Sequence, residues 1–191
     1  MAVGLVTVAP VTNKRRKLTT EELAAQVRTH LVYELKWLIS AADEFQRSSD
    51  ATYVSFLDSA AVHARNLFEF AEKKDGTRFT LHGLGGTGSK SDAWDHWANN
   101  RVAHMTQRDE SKAPWPEGRD AWNRPDKLLR MAAAVLERLR DGGSTIALGE
   151  LRDTYDEVLA AAAAYLADPS PETHENLAVL FDDGSDEPYP E

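Results

Sequence analysis

Apolar residues return every three or four positions along most of this chain, and that period leaves little room for anything but α-helix. Thr19 and Glu22 form a T-x-x-E capping box, after which Leu23, Val27, Leu31, Leu35 and Leu38 continue at helical spacing to about Phe45. A second helix is predicted from about Thr52 to Lys73, with Leu57, Ala60, Ala61, Ala64, Leu67, Phe68 and Ala71 on a face broad enough for a central position in a bundle. A third starts at Ser91 or Asp92 and carries Trp94, Trp97, Ala98, Val102 and Met105. A fourth opens at Pro125, shows Leu128, Leu129, Ala132, Val135, Leu136 and Leu139 inward, and is expected to stop at "DGG", residues 141–143. A fifth spans about Gly149 to Ala167, with Leu151, Tyr155, Val158, Leu159, Ala162 and Leu166 inward, and a short last helix opens at Ser170 and Pro171. Strand-like alternation is confined to "RFTLH", which has no pairing partner. The class is therefore all-α, an irregular helical bundle of about five helices.

The flanks differ in composition from this bundle. Residues 1–18 contain "NKRRK" and read as a flexible basic arm, residues 19–181 as a single helical-bundle domain, and the acidic "DDGSDEPYPE" at 182–191 as a disordered tail with nothing to bury. A chain of 191 residues without cysteine must hold itself together by its core, with no disulfide or thiolate-bound zinc. No apolar run reaches the length of a membrane span, so a cytoplasmic protein with no membrane partner is expected. A net charge of −9 argues against broad electrostatic capture of nucleic acid, which needs a basic face.

"HGLGGTGSKS", residues 82–91, imitates a phosphate-binding loop, since Gly83, Gly85 and Gly88 satisfy G-x-G-x-x-G. A dinucleotide fingerprint needs a strand before it and a βαβ unit around it, and a P-loop needs its lysine directly after the last glycine, whereas Ser89 precedes Lys90 here. In an all-α chain these glycines are expected to serve flexibility or unusual backbone angles.

Chemistry concentrates on the third helix, "SDAWDHWANNRVAHMT". At about 100° per residue Arg101 falls about 20° from Trp94, at the border of the apolar arc, and His104 lies about 60° from Arg101. Such a pair can be a snorkelling arginine with a hydrogen-bonded histidine, or a polar site at the core edge. His96 and His104 lie about 12 Å apart along the axis, too far to share one ion, so neither metal nor cofactor is expected. On the second helix Arg65 and Glu69 form an i, i+4 pair, and Asp58 continues the charged stripe beside the apolar face.

"HARNLFEF" on the second helix and "NNRVAHMT" on the third resemble the paired motifs of small bacterial helical proteins of the HEPN superfamily, over roughly residues 20–110. The resemblance implies a helical bundle that often dimerises; many members are metal-independent ribonucleases of toxin–antitoxin and antiphage systems, and others are noncatalytic. It assigns His104, with Asn100 before it, to the end of the family's R-x(4–6)-H motif. The chain departs from that pattern, since Ala98, Asn99 and Asn100 stand where the arginine would fall at the nearest spacings, which leaves Arg101 or Arg65 to supply the cation. On the enzymatic reading His104 acts as general base or acid at a ribose 2′-hydroxyl or 5′-oxygen of RNA, and the arginine stabilises the charged phosphorane. On the other, the same residues fix helix packing, and the protein is a dimerisation or protein-interaction module. Tryptophans 94, 97, 115 and 122 could line a small-molecule site, but aromatics at helical spacing are more often core.

Overall fold

The computed structural model describes residues 17–48, 53–74, 79–88, 97–99 and 126–181, and these form an all-α bundle with no strand among them. Six α-helices have bounds among the described residues: α1 (Thr20–Gln26), α2 (Val32–Arg47), α3 (Tyr53–Glu72), α4 (Lys127–Gly143), α5 (Glu150–Ala167) and α6 (Pro171–Val179). The capping box forms as its residues dictate: Glu22 N–H donates to Thr19 Oγ1 at 3.2 Å, and Thr19 N–H to Glu22 Oε2 at 2.8 Å. Ser170 caps α6 in the same reciprocal way through Thr173.

The first helix is not continuous. A π-helical turn, Val27–Leu31, joins α1 to α2. The cause is legible in the spacing: Leu23, Val27, Leu31 and Leu35 are each four apart, and every such step carries an α-helix about 40° past a full turn. A turn closed by i to i+5 bonds holds more residues and cancels part of that drift, so all four stay buried. Thr29 Oγ1 donates to the Ala25 carbonyl at 3.0 Å where the ladder loosens.

One core runs through the bundle, and α2 lies at its centre, packed against α3, α4, α5 and α6. The alanines of α3, Ala60, Ala61, Ala64 and Ala71, are all buried, which lets its backbone approach its neighbours closely. Tyr155 of α5 is fully buried with its hydroxyl donating to the Leu139 carbonyl at 2.8 Å, so the polar tip is satisfied inside the core. Tyr165, not foreseen as inward, is buried and shares a 2.9 Å hydrogen bond with Ser40, whereas Leu151 and Leu166 are only half-buried.

Residues 79–88 form turns rather than a strand, and they close onto the end of α4. Leu81 N–H donates to the Phe70 carbonyl at 2.9 Å, Gly86 N–H to the Leu81 carbonyl at 2.8 Å, and Thr87 N–H to the Gly142 carbonyl at 2.8 Å. "DGG" ends α4 as expected, with Gly143 its last helical residue. Its glycines also answer a demand for space. A Cβ at Gly142 would lie 2.6 Å from the Thr87 carbonyl oxygen, and one at Gly143 would lie 2.3 Å from the Tyr155 ring. Of the loop glycines, Gly85 takes φ 91°, as an unusual backbone angle requires, but Gly86 is needed for contact, since its Cβ would lie 2.9 Å from the Gly142 carbonyl oxygen.

Candidate functional site

Arg65 sits two-thirds along α3, on the border between buried Ala64 and exposed Asn66. Its Nε donates to Asn99 Oδ1 at 3.1 Å, and its Nη2 lies 3.0 Å from Glu69 Oε1, one turn further along α3. Asn99 belongs to a short helical stretch, residues 97–99, in which Trp97 and Ala98 are buried in the core. Burial of those two side chains presses the stretch onto the bundle, and the amide of Asn99 is thereby held against α3. The i, i+4 pairing of Arg65 with Glu69 is thus present, and it is joined by Lys73, whose Nζ lies 2.5 Å from Glu69 Oε2. The Lys73 ammonium is the strongest influence holding the Glu69 carboxyl below its ordinary range; partial burial opposes it, and the charge of Arg65 adds to it. Asn100, Arg101 and His104, the other candidates of the third helix, lie outside the described residues, as do His96, Trp94, Trp115 and Trp122.

A second cluster of functional groups was not singled out from the sequence. Glu34 of α2 faces His63 and Asn66 of α3: His63 Nδ1 lies 2.7 Å from Glu34 Oε2, and Asn66 Nδ2 donates to Glu34 Oε1 at 3.0 Å. An ionised carboxylate only accepts, so the imidazole nitrogen is the donor of the first bond. Tyr33 and Trp37 flank the imidazole. The Trp37 ring is nearly parallel to it, 16° between planes and 6.5 Å between centroids, and the Tyr33 ring stands edge-on at 69° and 5.7 Å. Both aromatics are exposed, at 43% and 44%, unusual for side chains of this size on a helix that is otherwise the centre of the core. The i, i+4 spacing of Tyr33 and Trp37 was the available signal, but without the register between α2 and α3 nothing indicated that His63 would face them.

Among the described residues, clefts also open that neither of these clusters lines. One of about 400 Å³ is lined by Thr87, Gly88, Glu137, Arg138 and Asp141, and one of about 690 Å³ opens between the start of α1, Gly83–Gly85 and residues 146–151. Among the described residues no group of three or more His, Asp or Glu side chains could hold a metal ion, and no helix is long and apolar enough to cross a membrane.

Compared with known proteins, the chain matches no family model, no curated protein and no solved structure at the level required for significance. Its function must be argued from these side chains.

Proposed function

We propose that the chain is a HEPN-like helical protein that works noncatalytically, as a dimerisation or protein-interaction module. The observation that carries this reading is the bonding of Arg65. A phosphate-stabilising arginine must present uncompensated charge to its substrate. Arg65 instead commits its Nε to Asn99 and its Nη2 to Glu69, a carboxylate that would itself repel a phosphodiester. Its bonds tie the helix of the "RNL" motif to the stretch leading into "NRVAH", which is a packing role. The net charge of −9 agrees with a protein that does not seek nucleic acid. Light scattering and a cell-extract pull-down with the purified chain are the test: a stable homodimer at micromolar concentration or a specific protein partner is expected, and a chain that is strictly monomeric and captures no partner overturns the proposal.

A second reading is favoured by the same Arg65–Asn99 bond seen from the other side. It sets an arginine of α3 beside the segment that continues into Asn100, Arg101 and His104, as a metal-independent endoribonuclease of a defence or toxin–antitoxin system would need. In that case His104 takes the proton of a ribose 2′-hydroxyl, and Arg65 or Arg101 meets the phosphorane charge. RNA cleavage that persists in EDTA and disappears in His104→Ala would establish this reading and remove the noncatalytic one.

A further inference from the structure

The cleft of about 690 Å³ is walled by the start of α1, by Gly83–Gly85 and by residues 146–151. Leu148, on that wall, is 92% exposed, more than any other large apolar side chain among the described residues. Leu151, which helical spacing turns inward, stays half-buried on the same wall, although Leu84 and Ile146 beside the cleft are buried. An aliphatic side chain left so fully in water marks a surface that something else covers. We propose that the cleft is the docking site of residues 3–11 of the same chain, "VGLVTVAPV", a segment outside the described residues. This docking is independent of how Arg65 is bonded.

The described chain starts at the cleft itself, since Lys17 and Leu18 both line it. Leu18 directly precedes the Thr19 cap, and Leu23 is the fourth residue of α1. These are the two positions of a hydrophobic staple, which fixes the angle at which a chain enters its helix. Leu18 accordingly packs on the core that contains Leu23. Five residues, 12–16, separate Val11 from Lys17, so Val11 can lie no further than roughly 20 Å from the cleft's edge. A segment on so short a tether is present at an effective concentration of about a millimolar. Its chemistry fits as well as its reach. Val3, Leu5, Val6, Val8 and Val11 are aliphatic, and no residue from 3 to 11 carries a charge. Covering Leu148 with them takes apolar surface of both out of water. Charge returns with Lys14, Arg15 and Arg16, immediately before Lys17, and there Glu21 and Glu150 line the cleft as exposed carboxylates. Basic residues thus meet acidic ones at the rim, and the aliphatic residues beyond them meet the apolar wall.

The test is amide hydrogen exchange on the full-length chain. The amides of Val6, Thr7 and Val8 should exchange about fivefold or more slowly than in Leu148→Asp, because a docked segment exchanges only when it opens. Leu148 is almost wholly exposed, so its replacement should leave the helical circular dichroism of the bundle intact. Leu5→Asp removes the same protection from the side of the arm. Dilution over about a hundredfold range separates docking within one chain from an exchange of arms between two copies, since only the second obeys mass action. Equal exchange in the unsubstituted chain and in Leu148→Asp overturns the proposal, as does protection that Leu5→Asp leaves unchanged, or protection that is lost on dilution.

Discussion

Gly86 and Gly142 touch across a gap in which neither can carry a side chain, and their neighbour Gly85 faces open space with a positive φ. The same substitution must therefore act through different physics at the two kinds of position. Gly142→Ala drives a methyl group against the Thr87 carbonyl and the Leu81 side chain, and should cost about 1–3 kcal/mol as the loop is pushed off α4. Gly85→Ala meets no atom and pays only for its backbone angle, about 1–2 kcal/mol. Urea unfolding measures both costs. Hydrogen exchange separates them, because only Gly142→Ala should release the Thr87 amide, which the Gly142 carbonyl now accepts. In the sequence these glycines look like one phosphate loop plus an unrelated helix stop. Their actual role is a contact between segments far apart in the chain, and no local pattern encodes such a contact.

At the level of elements, signals within one helix are legible in the sequence and those between helices are not. The capping box at Thr19, the wide face of α3 and the Ser170–Pro171 start of α6 all follow from residues within one turn of each other, and all are present. Thr19→Ala should cost about 1 kcal/mol in the melting of the whole bundle. The π turn was written into the run of four-residue spacings, but spacing alone fits a drifting α-helix equally well, and burial on both sides decides between them. That turn is also the one place in the α1–α2 rod that holds an additional residue. Deleting Thr29 should restore an ordinary helix with Leu23 and Leu35 still inward, whereas deleting Ala42 should rotate Phe45 out of the core; circular dichroism melts of the two deletions would show the difference. The Glu34–His63 pairing escaped sequence reading for the reason that governs every interhelical contact. Each helix shows its own polar stripe, and the rotation of one against the other is set by the core between them.

For the molecule as a whole, pH reads out how the polar groups are held. Burial is the main cause that raises the hydroxyl of Tyr155, and likewise that of Tyr165, above its ordinary value near 10. A raised folded-state value means that the stability is fully present below about pH 10 and is lost as pH climbs from there, because the unfolded chain ionises first. Tyr155→Phe should lower stability at neutral pH by about 1 kcal/mol, through the hydrogen bond to Leu139, yet flatten the alkaline decline. Glu69, held below its ordinary range chiefly by Lys73, gives the opposite limit: its contribution is present above that range and fades on acidification. The central position of α2 has a consequence for biosynthesis. α3 covers one of its faces as soon as it is made, but the face that receives α4 must wait for the chain from Arg47 to Lys127, some 80 residues. At about 5–20 residues per second that interval lasts about 4–16 s, during which the ribosome displays a half-clothed apolar rod to whatever chaperone stands at the exit.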